Sequence, residues 1–208
     1  MQLNSQIIAV KPGIVRNANN IVYVDHSQKR YIPQVAEPVI GVITGRQMDT
    51  YRVDIGGPSL ASLDVLAFEG ATKRNRPNLE NNALVYARVS LANKDMQPEL
   101  ECVGGGGKSE GLGELVGGYL VQCSLRLARS LMNPEHPILQ GFGSVCAFEI
   151  VVGLNGRIWI NAEKNRTIIL LSNLIKRADG CASAKLQNLI ESYVALVSDD
   201  SGNDMDLS

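Results

Sequence analysis

Cys102-Val103-Gly104-Gly105-Gly106-Gly107-Lys108-Ser109 is the stretch on which the division of the chain turns. It follows a β-type run and nearly spells G-x-x-x-x-G-K-[ST], the loop whose backbone N–H groups curl around phosphates at a helix N-terminus. Two features break the match. Cys102 stands where the first glycine belongs. The residues that follow, from Glu110-Gly111-Leu112-Gly113 to Gly117-Gly118, make a poor helix, because each interior glycine costs about 1 kcal/mol relative to alanine. Eight glycines fall within residues 104–118. That segment reads as a flexible connection between two modules.

Upstream, residues 36–103 read as consecutive strands: Val39-Ile40-Gly41-Val42-Ile43-Thr44, Tyr51-Arg52-Val53-Asp54-Ile55, Leu84-Val85-Tyr86-Ala87-Arg88-Val89 and Leu100-Glu101-Cys102-Val103. Gly56-Gly57-Pro58 ends the second in a turn. Between them lies a polar loop with three basic residues, Phe68-Glu69-Gly70-Ala71-Thr72-Lys73-Arg74-Asn75-Arg76-Pro77. Short strands and one long loop suit a small closed barrel. Residues 1–35 read as a smaller β module. Its runs are Ile7-Ile8-Ala9-Val10 and Ile21-Val22-Tyr23-Val24. Lys11-Pro12-Gly13 and Asn17 to Asn20 mark turns, and Pro33 and Pro38 lie near the exit.

Downstream, residues 119–197 change character. Tyr119 to Ser124 is strand-like, and Leu125 to Met132 is helical until Pro134 and Pro137 forbid extension. Cys146 to Val152 and Arg157 to Ala162 flank Leu154-Asn155-Gly156, and Asn-Gly between apolar runs is a strong hairpin signal. Thr167 to Arg177 reads as a helix. So does Ser183 to Val197, whose apolar positions run Leu186, Leu189, Ile190, Tyr193, Val194 and Val197, with Ser183 able to cap the start. The order gives an α+β layer. Asp199, Asp200, Asp204 and Asp206 make residues 198–208 an acidic tail, read as disordered.

The formal net charge of −1 says nothing about nucleic acid, but without the tail acids the rest carries about +3. Cys102, Cys123, Cys146 and Cys181 are widely spaced, which argues against zinc and for reduced core thiols. Met1-Gln2-Leu3-Asn4 lacks an export start, and no apolar run approaches the ~20 residues of a membrane span. The expectation is a soluble protein of the cytosol or nucleus. Only His26 and His136 could serve as a nucleophile's base, and neither has a hydrolase setting. Asp54, Asp64, Glu69 and Asp95 lack metal-site spacing. No catalytic residue, metal or cofactor is expected.

Lys73, Arg74 and Arg76 form a compact positive site, to which Arg46, Arg52, Arg88 and Lys94 could add. Tyr51, Phe68 and Tyr86 could offer stacking surfaces. From the residues alone, an RNA contact and a merely solvated loop with core aromatics stay equally open. Gly153-Leu154-Asn155-Gly156-Arg157-Ile158-Trp159 reads as a structural hairpin with Trp159 as its anchor.

The basic loop, Ala92-Asn93-Lys94-Asp95-Met96 and the segment from Gly153 to Trp159 together resemble the ribosomal RNA-processing protein 40 (exosome component 3) family, over residues 28 to 197. The resemblance implies a multi-domain chain, all-β plus α+β: a small N-terminal β domain, an S1-type OB barrel and a C-terminal KH-type domain. It further implies a non-catalytic cap subunit of the RNA exosome, seated on RNase PH-like ring subunits beside other cap subunits. Such a subunit guides RNA toward a separate 3'-5' exoribonuclease, in nucleus, nucleolus and cytoplasm. Gly153, Asn155, Gly156 and Trp159 would be structural at the S1/KH junction, and Lys73, Arg74, Arg76, Arg46 and Lys94 would meet RNA. A KH domain grips RNA backbone with a GxxG loop. Here Asn133-Pro134-Glu135-His136 stands in that place, so the KH module is read as scaffold. The N-terminal region looks shorter than the family's. The alternative is a free-standing S1/KH RNA-binding regulator.

Overall fold

The computed structural model describes residues 2–3, 6–8, 13–18, 21–25, 28–104, 106–181 and 183–203. His26, Gly105, Asp204 and Asp206 lie outside the described residues, as do the Ala9-Val10 half of the first expected strand and parts of the turn markers around it.

The N-terminal module is two small antiparallel ribbons. β1 (Gln2–Leu3) pairs with β2 (Gln6–Ile7), and β3 (Ile14–Ala18) pairs with β4 (Ile21–Asp25). β4 falls on the expected run. β3 carries Asn17 and Ala18, which sequence assigned to a turn. On β3 and β4, Val15, Ile21, Val22 and Tyr23 are exposed.

The barrel comprises β5 (Pro38–Gln47), β6 (Thr50–Asp54), β7 (Ala61–Phe68), β8 (Leu84–Leu91) and β9 (Glu99–Cys102). The pairing order β8-β5-β6-β7-β9 closes through β8–β9, and β7–β9 is parallel. Alternation sends Val39, Tyr51, Val53, Leu63, Val65 and Val85 inward, each fully buried. Gly41 lies inside too, since a Cβ there would meet the side chains of Val53 and Val85. A register shift between Ile43 and Gly45 bends β5 toward closure. β7 escaped the sequence because Ala61-Ser62-Leu63-Asp64 mixes small and acidic residues into its inward-outward pattern. Tyr31, assigned by sequence to residues 1–35, packs in the barrel core. There its hydroxyl donates to Glu37 Oε2 (2.7 Å), and burial together with that bond pushes its phenol pKa up.

The glycine-rich segment is not a free connection. β10 (Gly113–Leu115) pairs with β8 along the edge that β9 leaves open. Ser109 N–H donates to Glu69 Oε2 (2.8 Å), and Gly104 N–H to Lys108 O (2.6 Å). Glycine count alone signalled flexibility. The backbone instead finds partners on the barrel.

The third module has the order β-α-α-β-β-α-α: β11 (Tyr119–Gln122), α1 (Leu125–Leu131), α2 (Pro137–Gly143), β12 (Glu149–Gly153), β13 (Arg157–Asn161), α3 (Asn165–Ala178) and α4 (Ser183–Asn203). Its antiparallel sheet runs β11-β13-β12. Ile158, Ile160, Leu171, Leu174, Phe142 and Ile138 build a second core between sheet and helices. α4 continues to Asn203, past the expected start of a disordered tail at residue 198. Among the described residues no helix is long and apolar enough to cross a membrane. Cys181 is exposed, so it is not the core thiol that sequence suggested. Burial pushes Cys102 and Cys123 up to about 12, leaving them as inert thiols.

Candidate nucleic-acid interface

The loop between β7 and β8 leaves the barrel at the end where the β5–β6 turn also lies. Its apex is a closed turn. Thr72 N–H donates to Asn75 O (2.9 Å), and Asn75 N–H donates to Thr72 Oγ1 (3.1 Å). Satisfying the backbone locally lets the intervening side chains point to solvent. Lys73 and Arg74 are exposed there, and among the described residues neither side chain has a partner.

Arg76 is different. Its guanidinium bonds to Asp49 Oδ1 on the β5–β6 turn and donates to Lys73 O (3.2 Å), so it fastens the loop to the barrel. Arg46 donates to Met48 O (3.2 Å) and Asn78 Oδ1 (3.4 Å) and lies 5.5 Å above the Tyr51 ring. It adds charge nearby while doing structural duty. Lys94 is not part of this cluster. Its loop follows Leu91, at the far end of β8 from Leu84, roughly 23 Å away along the strand. Arg88 pairs with Glu101 Oε1 (3.1 Å) and donates to Val103 O (3.0 Å). Arg52 stands exposed on β6.

The stacking expectation fails at Tyr51, which is fully buried. Phe68 packs half-buried on the barrel core, and Tyr86 is half-buried where β8 pairs with β5 and β10. Burial raises the Tyr86 phenol. Inward alternation decided Tyr51, whereas Tyr86 stands out of phase with the inward Val85 and Ala87, and a barrel strand shows both faces to a sequence reader as one run.

The hairpin between β12 and β13 sits against β5 and β6. Asn155 is 8% exposed, and its amide donates to Ile40 O (2.8 Å) and Ile55 O (2.9 Å) while its Oδ1 accepts from Ile40 N–H (3.2 Å). Leu154 N–H donates to Pro38 O (2.9 Å). Gly153 has no room for a side chain, because a Cβ would lie 2.7 Å from Ile40 N. Gly156 has φ +78°, and its Cβ would lie 2.6 Å from Cys123 O. Ile40 is buried in neither core cluster, and Leu125 at the start of α1 packs into the barrel core.

Arg157 extends this join. It donates to Ile40 O (3.3 Å) and Asp54 O (2.5 Å) and pairs with Asp54 Oδ2 at 2.6 Å. Partial burial pushes the Asp54 carboxyl up. The Arg157 hydrogen bond, the Gly56 N–H and the Arg157 charge outweigh it and hold the group below its ordinary value. Trp159 points to the sheet face opposite Ile158 and Ile160. Its indole donates to Gly117 O (2.8 Å), and Gly118, with φ +66°, leaves the ring its space. Sequence did not reveal the partners of Asp49, Asp54, Glu69 and Arg157, because nothing local shows that they lie in distant elements. Ser109 hydrogen bonds, backbone first, hold the Glu69 carboxyl below the usual range.

In the α1–α2 connection, Asn133 Oδ1 accepts from Glu135 N–H (3.0 Å) and His136 Nδ1 accepts from Ile138 N–H (3.3 Å). This is a capped turn bearing an acid.

Two family profiles match the chain. "Exosome complex component RRP40, S1 domain" covers residues 31–113 and "KH domain" covers residues 118–166. The chain is 45% identical over 177 residues to exosome complex component rrp40 of Schizosaccharomyces pombe, covering 84% of this chain and 74% of that protein. It is 41% identical over 184 residues to exosome complex component RRP40 of Drosophila melanogaster, covering 87% and 79%. A crystal structure assigned to an exosome-complex RNA-binding protein superposes with a TM-score of 0.67 at 24% identity, over 84% of this chain and 99% of that one, a likeness of fold. With relatives at this level of identity spanning S1 barrel, junction and KH module alike, the chain belongs to the RRP40 family of exosome complex components.

Proposed function

We propose that this protein is a non-catalytic, RNA-guiding subunit of an exosome. Its barrel presents Lys73 and Arg74 to the phosphates of a passing strand, and its KH-type module holds the barrel in place. The observation that carries this is the apex at Thr72–Asn75, where two cations without a partner among the described residues stand on a hydrogen-bonded turn within a family of exosome components. Phosphate affinity needs such local charge and not a basic protein. The KH module supports the scaffold role, because its α1–α2 turn places Glu135 where an RNA clamp would need backbone amides. RNase PH-like ring subunits and other cap subunits are the expected neighbours, a separate 3'-5' exoribonuclease is the expected recipient of the RNA, and nucleus, nucleolus and cytoplasm are the expected locations.

The test is RNA binding by an exosome reconstituted around this chain. Lys73→Glu with Arg74→Glu should weaken binding and reduce the slope of log affinity against log salt by roughly 1 to 1.5, near 0.7 per lost single-strand phosphate contact. An unchanged slope removes the loop from the RNA path. Native mass measurement of the protein drawn from cells checks assembly. A free monomer would favour the stand-alone regulator.

A further inference from the structure

Tyr51 fills the barrel interior with its ring, fully buried. Phenylalanine would fill the same space. The hydroxyl needs its own explanation, and it has one: it donates to Pro77 O (2.5 Å) and accepts from Leu79 N–H (3.2 Å). Pro77 closes the basic loop and Leu79 lies two residues beyond it. One buried oxygen thus staples two backbone groups that would otherwise lack partners.

We propose that Tyr51 is the positioning residue of the RNA contact: its hydroxyl, together with the Asp49–Arg76 pair, holds the loop's return so that the Lys73–Arg74 apex stands at a fixed place beyond the barrel end. The inference rests on the RNA reading above and goes one step further, from which cations meet phosphate to what holds them. The apex turn fixes Lys73 and Arg74 relative to each other. It does not fix them relative to the barrel. Tyr51 does so from inside, beside the buried Leu79, and Asp49 through Arg76 and Arg46 through Asn78 do so from outside. A loop already held in place does not have to be ordered when RNA arrives, so the hydroxyl acts on affinity without touching the ligand.

The test uses the reconstituted exosome and a labelled oligouridylate. Tyr51→Phe should weaken binding roughly three- to tenfold, the scale of one or two lost hydrogen bonds. In that background Lys73→Ala with Arg74→Ala should cost less than it does in the wild type. A purely structural role would not give that coupling. Amide exchange supplies a second readout. Residues 70–79 should exchange faster while β5 and β6 keep their protection. Wild-type affinity, full additivity, or faster exchange across the whole barrel would each overturn the positioning role. The two failures separate cleanly: if Lys73→Ala with Arg74→Ala has no effect in the wild type, the RNA reading itself fails; if it weakens binding and Tyr51→Phe does not, only the positioning role falls.

Discussion

The hairpin around Asn155 and the loop around Lys73 both join antiparallel strands, yet they spend their polar groups in opposite ways. At the hairpin, side chains serve the protein. Asn155 and Arg157 give their hydrogen bonds to backbone carbonyls of β5, β6 and the adjoining Ile55, and little remains for solvent. At the loop's apex, the backbone of Thr72 and Asn75 is satisfied within its own turn, and Lys73 and Arg74 are left over. Burial separates the two regimes. A polar group removed from water must find a partner, whereas an exposed cation can wait for a ligand. The hairpin should therefore be sensitive in stability, and the apex in binding.

The largest effect expected on the hairpin side comes from Trp159→Arg. The indole is 5% exposed and hydrogen-bonded to Gly117 O, so a guanidinium there meets the glycine backbone and an apolar site. Loss of about 4 kcal/mol or more is expected, seen as a Tm many degrees lower or as insoluble protein. An unshifted Tm would show that the junction does not depend on this ring. Asn155→Ala comes next. It leaves Ile40 N–H and Ile55 O without their side-chain partner, while Ile40 O keeps Arg157, and denaturant unfolding should show a loss of about 2–4 kcal/mol. A loss below about 0.5 kcal/mol would mean that water replaces the amide, erasing the contrast between the two regions.

How far each region was legible follows from the same division. The Asn-Gly pair announced the hairpin locally, although only Gly156 takes a positive φ (+78°) and Asn155 does not, and the helix stripe of α4 announced itself through period. The join to the barrel could not be read. Asn155 and Ile40 are 115 residues apart, and no pattern in either stretch names the other. The family resemblance, not spacing, supplied that expectation. At the loop, the cluster of cations was plain, but its division of labour was not. Arg76 looks like Lys73 and Arg74 until Asp49 is seen beside it. Tyr51 looks like a stacking platform until alternation turns it inward. Lys94 looks close in sequence terms, but the length of β8 carries it away. β7 and β10 were hidden by small, acidic and glycine residues whose pairing depends on neighbours already in place.

The Asp54–Arg157 pair sharpens the comparison through pH. The folded Asp54 carboxyl is held below its ordinary value of 3.8, so its contribution is present at neutral pH and is lost as pH falls through the folded value. Asp54 is 40% exposed in its side chain, which screens the pair, so about 1 kcal/mol is the fitting scale. Asp54→Asn should lower Tm modestly at pH 7, and the gap from wild type should close on acidification below pH 3.8. A gap constant across that range would show that the charge contributes nothing and that Arg157 is satisfied by the Ile40 and Asp54 carbonyls alone.

The smallest stability effect belongs to the apex. Lys73→Ala with Arg74→Ala removes two exposed side chains that have no hydrogen-bond or ion-pair partner among the described residues, so unfolding free energy should move by less than about 0.5 kcal/mol while RNA affinity of the assembled exosome falls. Arg76→Ala supplies the internal control within the same loop. It loses the Asp49 pair and the bond to Lys73 O, an exposed arrangement worth about 0–1 kcal/mol. It should weaken RNA binding through loop disorder as well as charge. If Arg76→Ala and the double variant lowered the salt slope by the same amount per cation, Arg76 would be meeting phosphate directly. Its bond to Asp49 would then have to break when RNA binds, and the loop would be a shared three-cation site rather than two free cations on a fastened turn.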